Sequence, residues 1–354
     1  ALRIEAGQRV GVGVADAGGH HLDENLAGDF ADLKGRGGPG SEHEFFAERL
    51  EWDRHLARAG WTCIGWPVEY GGRGATLEQR IIFHREYARA NAPARVNHLG
   101  EELLGPTLIA YGTDEQKRRF LPGIVDVTEL WSQGYSEPGA GSDLANVATT
   151  AELVGDEWVI NGAKSFITNS GTDITSLVTV TARTGTTAEG RAQISAIIVP
   201  SGTPGFTVGR SLKKMGWRAS DTAELFFDDV RVPAANLVGE EGKGLDQVTE
   251  QLPQGRLGVA VAAMAIAEGV LAETTEFVSS RNVFGERVLD FQNTQFELAE
   301  LTAQLEASQA YVAHCVELFN RGQLDLIAAS KIKLQATGTV KDLVDRCLQL
   351  HGGF

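Results

Sequence analysis

Cysteine is scarce in this chain of 354 residues, and its three copies, Cys63, Cys315 and Cys347, stand far apart. That scatter excludes a disulfide framework and a clustered-thiol metal site, and it makes a reducing cytoplasm the expected location. Buried structural thiols are the expected state, with reactive thiols as the alternative. Positive charge is also short, with 32 Lys and Arg against 47 Asp and Glu and a net charge of −15 at pH 7. This argues against a nucleic-acid or anionic-membrane surface, while leaving room for a local cationic pocket that takes a phosphorylated ligand. No uninterrupted apolar run reaches transmembrane length, so no membrane span is expected. Residues 1–30 lack the basic start and apolar core of a secretory signal. Internal repeats and low-complexity linkers are likewise missing.

What is present is a chain long enough for a large core and two or three subdomains. Periodicity divides it into a helical region over 1–126, a β region over 127–237 and a helical bundle over 238–354, an α+β architecture. Residues 1–30 are irregular, since Val10-Gly-Val-Gly-Val-Ala-Asp-Ala-Gly-Gly-His-His has neither a helical face nor strand alternation. From Ser41 to Tyr111 apolar residues such as Phe45, Phe46, Leu50, Trp52 and Leu56 recur at helical spacing. Thr113-Asp-Glu-Gln116 reads as a capping box opening a short helix that Pro122 ends. Tyr70-Gly-Gly-Arg-Gly74 reads as a turn between helices rather than a phosphate loop, because no strand-loop-helix unit surrounds it. Period-two runs follow at 176–182, 194–199, 206–208 and 223–227. Helical stretches cover 245–280, 292–320 and 324–349, the second with an apolar face of Phe296, Leu298, Leu301, Leu305, Val312 and Leu318.

The richest segment is Gln133-Gly-Tyr-Ser-Glu-Pro-Gly-Ala-Gly-Ser142-Asp143, which sets three glycines, two serines and a proline between an apolar segment and a strand-like one. Such a loop can present backbone N–H groups and hydroxyls to an anion or a planar ring, or it can be a plain surface connection. The next segment, Glu157-Trp-Val-Ile-Asn-Gly-Ala-Lys-Ser-Phe-Ile-Thr-Asn169, places Asn161-Gly162 between strand-like runs, which predicts a hairpin returning Phe166, Ile167 and Thr168 beside the glycine loop. With Arg281-Asn-Val-Phe-Gly285, Gln292 and Gln349-Leu-His-Gly-Gly353, these motifs in this order resemble the acyl-CoA dehydrogenase family over roughly residues 40–354. The resemblance implies an N-terminal helical domain, a small central β-barrel or sandwich, and a C-terminal helical bundle. Within it, the irregular start departs from the helix usual at that place, and the bundle is expected to be truncated at its end.

The resemblance also implies a bound FAD. Gln133, Tyr135, Ser136, Gly141 and Ser142 would line one edge of the flavin ring, and Phe166, Ile167 and Thr168 would cover its other side, with Thr168 near N5. The family often carries tryptophan at the Phe166 position; an ordinary core aromatic is the other reading. Arg281, Phe284 and Gln292, with Gln349, Gly352 and Gly353, resemble the group reaching the diphosphate and adenine of a flavin held mainly by a neighbouring subunit. From residue type alone, Arg281 would be a solvated helix residue and the glycines a helix cap. A site shared between chains implies a homotetramer, a dimer of dimers. The implied reaction, in fatty acid and lipid metabolism, removes a proton from Cα of an acyl-CoA and a hydride from Cβ, with electrons passing to an electron-transfer flavoprotein.

The reaction needs a base, and a carboxylate in an apolar pocket suits it because burial raises its pKa. One branch of the family places the base in a segment resembling Leu252-Pro-Gln-Gly-Arg-Leu257, where this chain has Gly255. The other places a glutamate beyond the Gly-Gly of the last helix, outside a sequence that runs to Phe354. The catalytic base is therefore unassigned. Arg256 and Ser142 are the implied substrate contacts. Three readings stay open: a dehydrogenase whose base lies past Phe354, a base-deficient binder of flavin and acyl-CoA, or a partner subunit or oxygen-using flavoenzyme on the same fold. Glu240, Glu241 and Glu250 read as a solvated helix face rather than substitute bases. Arg210, Lys213 and Lys214 read as strand-edge charges rather than a CoA phosphate site.

Overall fold

A computed structural model describes residues 30–37, 44–172 and 175–353. The irregular stretch 10–21 and Ser41 lie outside the described residues. The chain divides into two compact units, 1–250 and 251–354.

In the first unit, helices α1 (Phe46–Arg58), α2 (Leu77–Arg89), α3 (Gly105–Tyr111) and α4 (Asp114–Val125) precede the strands. Within the helical region expected from Ser41 to Tyr111, α1 and α2 are separated by a turn in which Gly71 has φ 87°. The Tyr70–Gly74 cluster is a turn, as its composition implies. Arg73 closes it by donating to the carbonyl of Ala59 at 2.9 Å and stacking 4.1 Å over the Trp61 ring. Capping boxes open α2 at Thr76 and α4 at Thr113, where Gln79 and Gln116 return the hydrogen bond. Pro122 does not end α4, which continues to Val125. Pro122 is exposed in the last turn, so the helix loses one solvent-facing hydrogen bond, while Phe120, Leu121 and Ile124 on either side are buried and hold the turn in place.

A π-turn, Gly100–Leu104, leads into α3. Pro106 has no N–H to offer the preceding turn, and the freed carbonyl of Glu101 is taken by the indole of Trp66 at 2.8 Å. The Glu101 carboxylate pairs with Arg95, which also binds Asp53 at 2.6 Å, and it accepts the Cys63 N–H at 3.2 Å. Burial pushes the Glu101 carboxyl up to about 7. Burial also pushes the Cys63 thiol up, which fits the expected inert state. Cys315 and Cys347 are buried and free as well.

The strands are β1 (Leu130–Gly134), β2 (Thr150–Val154), β3 (Glu157–Thr168), β4 (Thr175–Thr186), β5 (Ala192–Pro200), β6 (Phe206–Ser211), β7 (Thr222–Pro233) and β8 (Leu237–Val238). They run in the order β6-β7-β3-β2-β4-β5-β8, with β1 parallel to β4. The two halves meet in the single pair Thr150↔Arg183 and share one core. That core takes Trp158, Ile160 and Val230 from one half and Val178, Val180 and Ile197 from the other, the arrangement of a sandwich. Its other half also packs on the helices, through Trp131, Leu177 and Ile198 against Leu104, Leu121 and Ile124.

The hairpin expected at Asn161-Gly162 does not form: β3 runs straight through both residues, and the turn lies at Gly155 (φ 67°) and Asp156, between Val154 and Glu157. Asn161-Gly162 instead marks a bulge against β7, where the register shifts between Ile160 and Gly162. Glycine is required there because a Cβ would sit 2.7 Å from the Thr149 Cα.

Helix α5 (Gly244–Ser280) crosses the boundary between the units. It contains an 18-residue window of mean hydropathy 1.6, so one helix among the described residues is long and apolar enough to span a membrane. Glu268 interrupts its apolar stretch after Ala267, and the alanines and glycines between its larger apolar residues suit close helix-helix contact.

In the second unit, α5 is followed by strands β9 (Asn282–Val283) and β10 (Glu286–Arg287), then α6 (Gln292–Asn320) and α7 (Leu326–His351). Helices α6 and α7 meet through Ser308 and Thr339, whose hydroxyls lie 2.9 Å apart, and through Arg346, which pairs with Glu297 at 2.7 Å. The apolar face of α6 holds Leu298, Leu301, Leu305 and Val312 buried, with Leu318 half-buried. Phe296 departs from the expected face and is 64% exposed, because it lies off the Leu298–Leu301–Leu305 stripe.

Candidate functional site

The glycine loop leaves β1 after Gly134, beside Lys164 of β3. Glu137 and Ala140 close it with reciprocal backbone hydrogen bonds of 2.8 and 3.2 Å, and the Ser165 N–H donates to the Ser136 carbonyl at 2.9 Å. Gly139, Gly141 and Ser142 are exposed, and nothing lies within 4 Å of a Cβ built on either glycine. The backbone there is open to a ligand. Gln133, Tyr135 and Ser136 are half-buried, with the carbonyls of Tyr135 and Ser136 turned towards β3 and β4. Burial pushes the Tyr135 phenol up to about 12, so it remains a neutral donor.

A second bulge in β3, between Lys164 and Ile167, decides the neighbouring residues. It turns Phe166 outward at φ 62° and 69% exposure, which excludes the core-aromatic reading. A bulky residue with positive φ is strained, and such strain concentrates where a side chain is held for use. Ile167 goes the other way. It is 2% exposed and belongs to the sandwich core, so its side chain cannot cover a ligand ring as expected. Thr168 is half-buried opposite Thr222. The composition of the segment implied the right neighbourhood, but strand alternation broken by a bulge reverses the faces of its last residues.

Two residues assigned no role from sequence are central here. Lys164 and Glu137 form an ion pair of 2.8 Å with both side chains out of solvent. Burial lowers the Lys164 pKa, against the opposing pull of Glu137. Burial also opposes the charge on Glu137, yet hydrogen bonds from Lys164 and from the Ala148 and Thr149 backbone hold it below the usual carboxylate value. A lysine in the middle of a strand, seven residues after Glu157 and beside Ala163, was the available signal.

The second unit has its own cluster. Phe277, Arg281, Val283, Val288, Leu350, His351, Gly352 and Gly353 line a groove of about 400 Å³. The structure thus brings Arg281 together with the glycines of the last helix. The groove wall is fixed by His351, stacked 4.3 Å from Phe277 and 3.2 Å from the Thr274 hydroxyl. Gly352 ends α7 with φ 73°, and Gln349 is exposed in its last turn. Phe284 and Gly285, at φ 54° and 86°, form the two-residue turn of the β9–β10 hairpin. That turn leaves the Phe284 ring fully exposed. Gln292, at the start of α6, is exposed on the far side of this hairpin in sequence and does not line the groove.

Gly255 lies inside α5 with nothing within 4 Å of its Cβ position, so a larger side chain has room. Arg256 donates to the Ser330 hydroxyl at 2.9 Å. Glu250 is exposed and accepts a hydrogen bond from the Tyr111 hydroxyl, and Glu240 and Glu241 are exposed. Lys214 is held within its own loop by the Ser220 carbonyl and, at 2.9 Å, the Thr222 hydroxyl, while Arg210 and Lys213 are exposed.

Known proteins resemble this chain in sequence and in fold. Residues 40–128, 132–230 and 242–354 match the N-terminal, middle and C-terminal domain models of acyl-CoA dehydrogenase. The chain is 56% identical over 223 residues to "Acyl-CoA dehydrogenase IpdE1" of Mycobacterium tuberculosis, a match covering 63% of this chain and 57% of that protein. It thus spans less than two thirds of that relative. It is 36% identical over 338 residues to the mitochondrial "Long-chain specific acyl-CoA dehydrogenase" of Mus musculus, covering 89% of this chain and 78% of that protein. The crystal structure of an acyl-CoA dehydrogenase from Geobacillus kaustophilus superimposes with a TM-score of 0.84 at 34% identity, over 96% of this chain and 88% of that one. With three domain models matched in order and extended likeness in both sequence and fold, the chain belongs to the acyl-CoA dehydrogenase family.

Proposed function

We propose that this chain is a flavin-dependent oxidoreductase that introduces a double bond between Cα and Cβ of an acyl-CoA thioester. The family is FAD-dependent, and the residues present fit that group. The observation that carries the reading is the pairing of an open glycine backbone at 139–141 with an aromatic ring held outward at Phe166. On this reading Gln133, Tyr135, Ser136, Gly141, Ser142 and Thr168 supply donors and backbone along a flat ring, and Phe166 stacks on it. Ile167 contributes through its backbone alone. Arg281, with its planar fork of donors, suits a diphosphate, next to Gly352 and Gly353, whose missing side chains let backbone approach it. Phe284, Gln292 and Gln349 offer exposed surface to the adenine end. A homotetramer, the dimer of dimers, follows if those residues serve a flavin held by a neighbouring copy.

Bound FAD supplies a two-electron acceptor for the hydride. The chain's own residues orient the thioester through Ser142 and Arg256 and polarise its carbonyl with backbone N–H groups as negative charge develops. A proton must also leave Cα, and neither Gly255 nor Arg256 can take it. The room at Gly255 favours one second reading, a base-deficient member that binds flavin and acyl-CoA without efficient turnover. An electron-transfer flavoprotein is the proposed acceptor of the electrons.

The test is anaerobic addition of saturated acyl-CoAs of several chain lengths to the purified flavoprotein. Bleaching of the flavin band supports the dehydrogenase. Binding without bleaching supports the base-deficient reading. No acyl-CoA response, with rapid oxygen-linked flavin chemistry, would replace both with an oxygen-using flavoenzyme, and failure to bind FAD would remove the site assignment itself.

A further inference from the structure

The glycine loop has an open outer side and a clamped inner side. Lys164 directs its ammonium group to the Glu137 carboxylate at 2.8 Å, the Tyr135 carbonyl at 3.1 Å and the Thr181 hydroxyl at 3.3 Å, which accounts for its three donors. The Glu137 carboxylate in turn receives the N–H groups of Ala148 at 2.6 Å and Thr149 at 3.0 Å. The Thr181 hydroxyl also reaches the carbonyls of Gly134 and Tyr135, each at 3.4 Å. Every bond in this set ends on the loop, on β3 or β4, on the last residue of β1, or on the segment leaving the loop. Lys164 is 0% and Glu137 5% exposed by side chain.

Stability alone does not explain a charge pair in this place. Two buried charges lose their hydration, and replacing such a pair with apolar side chains is often neutral or stabilising. What an ion pair offers over apolar filling is direction, because the ammonium and the carboxylate accept few geometries. The clamp also sits two residues before Phe166, on the same bulge that turns that ring outward. One short piece of β3 therefore sets both the height of the loop and the position of the ring.

We propose that Lys164 is a positioning residue for the flavin site: acting through Glu137, it holds loop 137–142 at a fixed distance from β3, so that the Gly139–Gly141 backbone, Ser142 and Phe166 form one pre-arranged surface. The inference rests on the reading of this surface as a flavin site. Pre-arrangement strengthens binding because the loop does not have to be ordered when the ligand arrives.

The experiment compares wild type, Lys164→Met, and the double variant Lys164→Met/Glu137→Leu in the full chain. Three quantities are measured: thermal stability, FAD affinity of the deflavinated protein by flavin fluorescence, and hydrogen exchange at residues 134–149. The single variant leaves a carboxylate buried without its partner and melts lower. The double variant removes both charges and recovers stability, yet binds FAD about 10- to 100-fold more weakly and exchanges faster across the loop. A purely structural pair would recover affinity together with stability, so wild-type affinity and exchange in the double variant overturn the proposal. If the double variant does not fold, Thr181→Val decides. It removes one acceptor of Lys164 and the single hydroxyl proton available to the Gly134 and Tyr135 carbonyls, and a folded Thr181→Val protein with unchanged affinity and unchanged exchange likewise overturns it. Absence of FAD binding in the wild type would overturn the flavin reading instead, and the exchange data would still report whether Lys164 holds the loop.

Discussion

The Asn161 side-chain oxygen accepts the backbone N–H of Asp229 at 2.9 Å, bridging the place where the β3–β7 ladder slips. The pair explains why an Asn-Gly sequence that ordinarily turns a chain here lets it run on. Asn161 replaces the lost ladder bond, and Gly162, at φ 151°, lets β3 pass close to Thr149.

Gly162→Ala is therefore expected to destabilise the first unit by about 1–3 kcal/mol, the usual cost of forcing atoms into a filled site. A Cβ would meet the Thr149 hydroxyl at 2.4 Å as well as its Cα at 2.7 Å, and the backbone contact cannot swing away. Chemical denaturation read by tryptophan fluorescence measures the loss, and a midpoint equal to wild type would show that β3 can shift to make room.

Glu101 predicts a pH dependence. Its carboxyl is raised from 4.5 to about 7, chiefly by burial, with Arg95 pulling the other way and Asp53 and Glu102 adding to the rise. The folded protein holds this proton more tightly than the unfolded chain. The stabilising contribution is full below about pH 4.5 and is lost as pH rises through about 7. Between those values the melting temperature of Glu101→Gln should fall less with pH than that of wild type. Parallel wild-type and variant curves would show that Glu101 is already ionised in the folded state.

Arg281→Ala tests the groove of the second unit. The side chain is exposed and its backbone bond to Phe277, at 2.9 Å, survives the change, so the melting temperature should stay close to wild type. FAD affinity should drop about tenfold or more, the scale of one charge-assisted hydrogen-bonded contact. Equal affinity in calorimetric titration would take Arg281 out of the cofactor site.

Gly255→Glu asks about the proton. Nothing obstructs the new side chain, and replacing a mid-helix glycine should stabilise α5 by up to about 1 kcal/mol. If turnover is limited by the missing carboxylate, acyl-CoA should bleach the flavin about 10²-fold or more faster than in wild type. An unchanged rate, measured by anaerobic stopped flow, would place the base elsewhere.

Much of this protein is legible in its residues because short-range physics writes it there. Thr113 and Gln116 announce a helix start through a local hydrogen-bonding exchange, and the period of α6 shows in Leu298, Leu301 and Leu305 because one helix face is buried along its length. The motifs around Gly141, Phe166, Arg281 and Gly352 likewise stand out through their composition. Pro122 and Asn161-Gly162 mislead for a common reason: each is a local signal overruled by tertiary contacts, the buried flanks of α4 in one case and the β7 partner strand in the other.

By itself, then, the sequence determined the family, the order of helical and β regions, and the residue types of the site, since these rest on periodicity and on motifs read within a few residues. Only the tertiary structure decided that Phe166 faces out while Ile167 joins the core, that Lys164 and Glu137 clamp the glycine loop from beneath, and that Arg281 and Gly352 share one groove. Those outcomes depend on strand register, on a bulge, and on residues far apart in the chain, such as Arg281 and Gly353, meeting in space. No local pattern encodes where a partner strand or a distant helix end will lie.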